Sequence, residues 1–332
     1  MAVAPPDRIL VIRVLGLGDL LTAVPALRGL RRAYPGSVIS LASPGWLRPL
    51  LGSIDAVDDQ LDVKSLAQVG ALSPRPDLVV NLHGAGPQSI DAALRTGAET
   101  IITHRHSDRP GVDGPDWVPD LHEVERWCRL LRWSGLPVDA GDLRLPRPAI
   151  AADVGPSSVG AVVIHPGASA GARRWPVERF GSLAAHLARS GCQVLVTGSE
   201  TEFDLANAVV TAAGLPNVAS VAGGLGLDQL AVLIAGASLV ICGDTGVAHL
   251  ASAYATPSVL LFGPTPPALW GPPVDGPHTV LWHGGRGDPH ADATDPGLLE
   301  IGVEEVLAAV EAHWTRTSDA SCSVAVAACP DR

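Results

Sequence analysis

The chain has 332 residues, of which 47% are hydrophobic and 17% charged, as in globular proteins and unlike disordered ones. Its 34 acidic and 23 basic side chains give a net charge of −11, which argues against nucleic acid as a partner. No apolar run reaches the ~18 residues that a membrane span requires, and the first residues lack the pattern of a signal peptide.

The basic residues are concentrated in the first half of the chain. Residues 1–150 carry 16 basic and 17 acidic side chains, whereas the remainder carries 7 and 17. The arginines at positions 28, 31, 32 and 48 therefore either lie on solvated helix faces or meet an anionic or membrane-associated partner. The five cysteines show no CxxC pair and no metal-binding spacing, which favours reduced thiols in a cytoplasm. We expect a cytoplasmic monomer, or alternatively peripheral contact of the first domain with the inner face of the membrane.

The first half alternates strands with helices. Residues 9–16 form a short, apolar run that predicts a buried strand, and a helical pattern follows it. Pro25 lies inside that pattern, so either the regular helix begins near Thr22, which leaves Pro25 in its first turn, or the helix is kinked. Further strands are predicted at residues 37–43, 77–84 and 99–103, and an amphipathic helix at residues 121–135.

A stretch rich in Pro, Ala and Ser at residues 143–158 predicts a domain boundary. The alternation of strand and helix resumes beyond it. Strands are predicted at residues 160–167, 193–198, 217–223, 238–244 and 257–263, and helices at residues 176–191, from Thr201, from Asp228, from Thr245 and near residues 303–314.

Repeated strand–helix units with apolar strands indicate parallel sheets that are covered by helices on both faces. We therefore predict fold class α/β, with two doubly wound, Rossmann-like domains at residues 1–150 and 151–316 and a cleft between them. Residues 317–332 show no regular pattern, and we expect this tail to be disordered.

Ligands of open parallel sheets bind beyond the carboxyl ends of the strands, and four such stretches carry candidate site residues. In the first, Gly16 and Gly18 precede Asp19. The third glycine of the dinucleotide-binding fingerprint is missing, and the next strand ends without an acidic residue, so a nicotinamide cofactor is not expected. Asp19 is either a helix cap or a general base that faces the cleft.

The second stretch is a glycine-rich loop at residues 165–176 that contains the adjacent pair Arg173 and Arg174. Arginine forks suit phosphate oxygens, although two solvated arginines on a surface loop are the alternative.

The third stretch, residues 241–267, is the most informative. A strand runs into Asp244, Thr245 and Gly246, and a helix begins at once, so free amide groups and the helix dipole make an anion site there. His249 lies one turn further on the same side of the helix as Thr245, but taken alone it would be interpreted as a buried structural histidine.

The fourth stretch contains Glu200 and Glu202, which either complement a helix dipole in its first turn or hold ribose hydroxyls. The chain shows no Ser-His-Asp order, no HExxH and no paired carboxylates around a divalent metal. We therefore expect a site without metal or cofactor.

Together these segments resemble glycosyltransferase family 9, the heptosyltransferase-like enzymes of bacterial envelope biosynthesis. The likeness extends from about Ile9 to Val310 and rests on "ILVIRVLGLGDLLTAVPALRGLRRAYPG", "DLVVNLHG", "HEVERWCRLL", "VIHPGAS", "RRWPVERF" and "GDTGVAHLASAYATPSVLLFGPTPPALWGP". The resemblance implies a GT-B fold, with the acceptor in the first domain and a nucleotide-sugar donor in the second.

The resemblance also implies roles for individual residues. Asp19 matches the catalytic base of the family's "LGD" motif. The donor-binding residues that it implies are Arg173, Arg174, Glu202, Asp244, Thr245, Gly246 and His249, with Glu200 as the alternative to Glu202 at the donor ribose. Gly16 and Gly18 form the acceptor-side loop. The chain departs from the family in having Arg173 where lysine is common and Val14 and Leu15 where serines are common.

These observations favour an inverting, metal-independent glycosyltransferase of lipopolysaccharide or other envelope glycan biosynthesis. The resemblance favours ADP-heptose as donor, with a hydroxyl of a glycan, glycolipid or natural product as acceptor. Two other functions stay open at this point. One is a GT-B-like nucleotide-sugar epimerase, which would alter the donor without an acceptor, and the other is a non-catalytic nucleotide-sugar binding protein.

Overall fold

The structure, a computed structural model, describes residues 4–148 and 158–326, with side chains up to residue 315. The first half contains a five-stranded parallel sheet in the order β3-β2-β1-β4-β5. Its strands are β1 (Arg8–Ile12), β2 (Val38–Ser43), β3 (Asp59–Asp62), β4 (Leu78–Asn81) and β5 (Thr100–Ile102). The central strand β1 is buried from its second residue onward, as expected for a sheet covered on both faces.

The helices of the first domain are α1 (Leu17–Thr22), α2 (Val24–Ala33), α3 (Arg48–Ile54), α4 (Gln88–Arg95) and α5 (Glu123–Trp133). The break between α1 and α2 at Ala23 resolves the question that Pro25 raises. Pro25 is the second residue of a new helix, where a missing backbone N–H costs no hydrogen bond. The helix that begins at residue 24 is therefore regular. Helix α1 is a separate element, and its first turn faces the cleft between the domains.

The second half contains a second five-stranded parallel sheet, in the order β10-β9-β8-β6-β7. Its strands are β6 (Val162–His165), β7 (Val194–Val196), β8 (Leu239–Gly243), β9 (Ser258–Leu261) and β10 (His278–Leu281). Its helices are α6 (Val177–Arg189), α7 (Phe203–Ala212), α8 (Leu227–Gly236), α9 (Gly246–Tyr254), α10 (Pro267–Trp270), α11 (Pro296–Glu300) and α12 (Val303–Val326).

One predicted strand is wrong. Residues 217–223 form a short 3₁₀ turn at Asn217–Ala219 and then a single bridge between Ser220 and Val196. The chain enters this segment through Pro216 and runs along the outer side of β7, where the Val221 amide donates to the Val196 carbonyl at 2.9 Å, but the pairing does not extend beyond one bridge. Apolar residues here satisfy the core of the second domain without extending the sheet.

The ends of the predicted second domain also differ from expectation. Helix α12 continues to Val326 rather than ending near residue 314, because no glycine or proline interrupts the sequence before Pro330. The backbone of the expected disordered tail is thus helical as far as Val326, and residues 327–332 lie outside the described residues. The predicted boundary between residues 150 and 151 also lies outside them.

Three of the four arginines singled out in the first domain form ion pairs within the protein. Arg28 and Arg32 each donate to Asp142 at 2.6 Å, and Arg31 is paired with Asp58. This favours solvated, internally paired helix faces over an anionic partner for these three side chains. None of the described helices combines the length and the apolarity that crossing a membrane would require.

The two domains meet through α1 and α9, whose amino-terminal ends face each other. A Cβ atom added at Gly246 would lie 2.9 Å from the Leu17 Cβ, and one added at Gly18 would lie 2.7 Å from the His249 ring. Only glycine permits so close an approach. The same contact brings the carboxyl ends of β1 and β8 to one cleft between the domains.

Candidate active site

The cleft between the domains has a volume of about 860 Å³. Side chains from both domains line it, and they follow strands β1, β2, β6, β7 and β8. Of the predicted site residues, the cleft brings together Gly16, Gly18, Asp19, Arg173, Glu202, Asp244, Thr245, Gly246 and His249. Arg174 and Glu200 are not among the residues that line it.

Asp19 lies in the first turn of α1 and opens onto the cleft, with 27% of its side chain exposed. The Gly16 amide donates to its Oδ2 at 3.2 Å, and Arg13 Nη2 lies 3.4 Å from its Oδ1. Burial raises the pKa of this carboxyl, partly opposed by the charge of Arg13. Asp19 therefore caps the first turn of α1 and also faces the cleft. The roles of helix cap and general base are thus compatible.

The buried Asp244 pairs with the half-buried Arg173 on the opposite wall. Arg173 Nη1 lies 3.7 Å from the Asp244 Oδ2 and donates to the Asp244 carbonyl at 3.3 Å, and its Nη2 contacts the Ser169 hydroxyl. Burial raises the pKa of Asp244 to about 6, and the charge of Arg173 opposes this rise. The Arg173 Nε is buried and has no hydrogen-bond partner among the described residues, which leaves one donor of the guanidinium unsatisfied.

Of the neighbouring candidates Arg174, Glu200 and Glu202, only Glu202 lines the cleft. The Arg174 fork donates to the Ala168 carbonyl at 2.9 and 2.8 Å and thereby braces the loop that carries Arg173. Glu202 points into the cleft, and its Oε2 accepts from the Ser199 amide and hydroxyl at 2.8 and 2.9 Å. A Cβ atom at Gly167 would lie 2.1 Å from the Glu202 Oε1, so glycine makes room for this carboxylate.

The start of α9 forms the floor of the second-domain side. Thr245 is the N-cap of this nine-residue helix, and the amides of its first turn point toward the cleft. His249 stands one turn further along and packs edge-on against Trp270, with ring centroids 5.8 Å apart. Removal from water lowers the pKa of His249 to about 4, so the ring is neutral near pH 7. Helix amides, a neutral imidazole and an arginine together suit a diphosphate group.

Trp46 is a cleft residue that the sequence analysis missed. It lies on a 3₁₀ turn after β2, and 54% of its surface is exposed although the neighbouring Leu47 is fully buried. The turn is held in place because the Gly45 amide donates to Asp62 at 2.7 Å. No motif marks this position, and only the place of β2 beside β1 in the sheet could have suggested it.

Within the described ranges, no group of three or more His, Cys, Asp or Glu side chains is arranged to hold a metal ion. The positive charge available to a ligand in this cleft comes from Arg173 and from the amides at the start of α9.

Comparison with known proteins agrees with this architecture. The family model for glycosyltransferase family 9 (heptosyltransferase) matches residues 116–295, more than half of the chain. The lipopolysaccharide heptosyltransferase 2 of Salmonella typhimurium is 27% identical over 338 residues, covering 90% of this chain and 96% of that protein. The lipopolysaccharide heptosyltransferase 1 of Pseudomonas aeruginosa is 28% identical over 302 residues, covering 80% and 81% respectively.

Solved structures share the fold. The ADP-heptose lipopolysaccharide heptosyltransferase II of Escherichia coli superposes with a TM-score of 0.76 at 24% identity, covering 94% of this chain and 99% of that one. A glycosyl transferase of family 9 from Veillonella parvula superposes with a TM-score of 0.77 at 21% identity, covering 93% and 98%. Both confirm the predicted GT-B architecture of two Rossmann-like domains around a cleft. The chain is a glycosyltransferase and belongs to glycosyltransferase family 9, the heptosyltransferase family.

Proposed function

We propose that this enzyme transfers a heptose from an ADP-linked donor to a hydroxyl of a glycan, glycolipid or natural-product acceptor, in one inverting displacement without a metal ion. The names of the relatives support the sugar and the pathway, since they are lipopolysaccharide heptosyltransferases. A related Escherichia coli heptosyltransferase has been solved with ADP. The nucleotide and the acceptor are proposals for this chain.

The chemistry that we propose begins at Asp19. Its carboxylate takes the proton of the acceptor hydroxyl, and the freed oxygen attacks the anomeric carbon from the face opposite the leaving group. The bond from that carbon to the phosphate oxygen breaks, and the ADP leaves with its electron pair. A positioned general base of this kind contributes ~10²- to 10⁴-fold in rate.

The departing diphosphate needs positive charge as the bond breaks. The amides of the first turn of α9 and the guanidinium of Arg173 supply it from the second domain, where they are fixed before the reaction starts. Glu202 lies beside them with an oxygen turned toward Gly167, a position suited to ribose hydroxyls. The neutral ring of His249 adds a hydrogen-bonding group that does not compete as a base.

One observation carries the proposal. A carboxylate on the first domain and an anion-binding helix start on the second line the same cleft, so acceptor and donor can meet between them. The acceptor side consists of the Gly16–Gly18 loop and the exposed face of Trp46, which can stack on a sugar ring. A lipid-linked acceptor would bring the first domain to a membrane surface.

The proposal is tested by replacing Asp19 with Asn and measuring turnover and ADP affinity on the same protein. We expect turnover to fall by ~10²-fold or more while ADP affinity changes less than about twofold, because the base acts on the acceptor and not on the nucleotide. Full turnover in the variant would remove the assignment of the base.

Incubation with donor alone separates transfer from epimerisation. We expect ADP-heptose to remain unchanged without an acceptor and to release ADP only when an acceptor hydroxyl is added. Conversion of the donor sugar in the absence of acceptor would favour the epimerase instead. Binding of the donor with no transfer of heptose to any acceptor, and no release of ADP, would favour the non-catalytic binding protein.

A further inference from the structure

Arg13 stands behind Asp19 and contacts it twice. Only 1% of its surface is exposed, at the point where the chain leaves β1. Its Nε donates to the Asp19 carbonyl at 2.9 Å, and its Nη2 lies 3.4 Å from the Asp19 Oδ1 and 3.2 Å from the Thr22 hydroxyl. Its Nη1 donates to the Leu82 carbonyl at the end of β4. One guanidinium therefore ties β1, β4 and α1 together around the base.

A second carboxylate, Glu123, approaches Arg13 from the other side. Its Oε1 accepts from Arg13 Nη2 at 3.0 Å and from Trp127 Nε1 at 2.9 Å, and its Oε2 accepts from Arg126 Nε at 3.0 Å. The Arg13 guanidinium also stacks over the Trp127 ring, 4.7 Å from its centroid. Glu123 is buried and is not among the residues that line the cleft. Charges thus alternate from the cleft inward, in the order Asp19, Arg13, Glu123 and Arg126.

We infer that Arg13 is the positioning residue of the Asp19 base. Glu123 does not reach the substrate, but it offsets part of the charge of Arg13 and so sets how strongly Arg13 favours the deprotonated form of Asp19. The inference rests on the proposed function, because it gives Asp19 the role of base. It adds a residue of α5 to the machinery of the reaction.

The physical reason is the balance of charge around a buried carboxylate. Burial raises the pKa of Asp19, the charge of Arg13 lowers it, and the charge of Glu123 raises it again. An uncompensated arginine beside Asp19 would make it a weak base. With Glu123 sharing the Arg13 guanidinium, Arg13 fixes the position of the base and takes away less of its proton affinity.

Three other ionisable groups near this cluster, Asp244, His249 and His83, also affect its pH dependence. Asp244 lies across the cleft, with a pKa raised to about 6 by burial. His249 on α9 and His83 after β4 both have pKa values lowered to about 4 by burial, so they are neutral above pH 5. Of these three groups, only Asp244 has a pKa close to neutral pH. Measuring ADP affinity as a function of pH detects the titration of Asp244 separately from that of Asp19.

The test compares Glu123→Gln with Glu125→Gln in the full-length enzyme, with ADP-heptose as donor and an acceptor shown to be used by the wild type. Both variants remove one negative charge from α5, but Glu125 is paired with Arg132 and is partly exposed. We expect Glu123→Gln to move the acidic limb of the kcat profile to lower pH and to lower the plateau rate, because Arg13 then acts on Asp19 uncompensated. Glu125→Gln leaves the limb in place.

Arg13 variants test the same cluster in the opposite direction. We expect Arg13→Gln to move the acidic limb to higher pH, and Arg13→Lys to return the limb toward that of the wild type while kcat stays ~10-fold low, since an ammonium cannot span the three elements. ADP affinity within about twofold of wild type confirms in each case that the protein is folded.

An unmoved limb in both Glu123→Gln and Arg13→Gln, with ADP still bound, would overturn the inference. Such a result, together with an inactive Asp19→Asn variant, would leave the proposed base intact. An active Asp19→Asn variant would instead remove the base itself, so the two failures are distinguishable.

Discussion

At the scale of single residues, Arg173 and Arg174 show how one position along the chain separates a side chain that lines the cleft from one that braces its loop. Arg173 lines the cleft, and its buried Nε has no partner in the part of the chain that the structure describes. Two nitrogens of Arg174 instead donate to the Ala168 carbonyl. The sequence "RRWP" predicts a basic pair at a phosphate site but not which of its members reaches the phosphate.

This difference makes a prediction for donor binding. We expect Arg173→Gln to weaken ADP binding ~10- to 100-fold, which corresponds to the loss of a hydrogen bond to a charged group. The adjacent Arg174→Gln should weaken it much less, because that side chain is not among the residues lining the cleft. Isothermal titration with ADP measures both. An equal loss in the two variants would contradict the separation of roles.

Asp244 makes a prediction about stability and pH. Its pKa is about 6 in the folded protein against 3.8 in the unfolded chain, mainly because it is buried. The folded state therefore binds a proton more tightly, and this contribution to stability is present below about pH 4 and is lost as the pH rises through 6. The charged carboxylate is kept at physiological pH at the expense of stability.

Replacing Asp244 with Asn removes the carboxyl that ionises, so the variant does not lose this stability as the pH rises. We expect the free energy of unfolding of Asp244→Asn to exceed that of the wild type by about 2 kcal/mol at pH 7.5, and the difference to shrink toward zero at pH 4. Urea unfolding at the two pH values measures it, and turnover should fall in the same variant. A difference that grows on acidification would show that the sign is wrong.

At the scale of secondary structure elements, the contact of α1 with α9 depends on two glycines that face partners across the domains. The Cβ of Leu17 is fixed to its backbone, so it cannot rotate away from a methyl group added at Gly246. We expect Gly246→Ala to cost about 1–3 kcal/mol of stability and to lower turnover, because α1 and Asp19 must shift. Gly36→Ala is the control, since a Cβ added at that position would meet no atom of the described residues within 4 Å, apart from its chain neighbours.

The measurements for this pair are the midpoint of urea unfolding and kcat with saturating substrates. If Gly246→Ala unfolds at the same urea concentration as Gly36→Ala and turns over normally, the two helices are not held at the separation that the structure gives.

The sequence predicts all the central strands and two of the four edge strands, β5 and β7, but it misses the edge strands β3 and β10. Strands β1, β2, β6, β8 and β9 are buried on both faces and appear in the sequence as apolar runs. Strands β3 and β10 each form one outer edge of a sheet, opposite β5 and β7. The sequence "DQLD" of β3 alternates and ends in acids, as an edge requires, so no apolar run marks it.

The position of a residue at the cleft was predictable where that residue follows a central strand. Asp19 and Asp244 come after β1 and β8, and parallel sheets place such residues at the same edge. Trp46 and the buried pair of Arg13 and Glu123 could not be found in this way. Trp46 depends on the geometry of a turn, and the ion pair joins residues 110 positions apart.

At the scale of the whole molecule, the two domains share part of their hydrophobic core, in addition to a separate buried cluster in each domain. A single cluster of buried residues runs from β1 and α2 of the first domain through α9 to β8 of the second. Backbone hydrogen bonds add to it, since the Leu145 amide donates to the Ala253 carbonyl at 2.9 Å. His122 is hydrogen-bonded to the Gly271 carbonyl at 3.1 Å, again between the domains.

A shared core predicts cooperative unfolding. We expect one calorimetric transition, and we expect ADP at 100 times its dissociation constant to stabilise the whole protein by about 2.7 kcal/mol. Differential scanning calorimetry with and without ADP measures this. Two resolved transitions, of which ADP moves only one, would mean that the domains unfold independently despite the common core.

The anchoring of α9 has a mechanical consequence. Its carboxyl end is tied to the first domain at Ala253 and Tyr254, while its amino end carries the anion-binding amides. Nine residues of α-helix span ~13 Å, so a pivot of roughly 10° about the tied end sweeps the amides through ~2 Å. That arc is large enough to make or break a hydrogen bond. Because the amino end of α9 also packs against Leu17 of α1, such a pivot could not move these amides without moving α1, which carries Asp19.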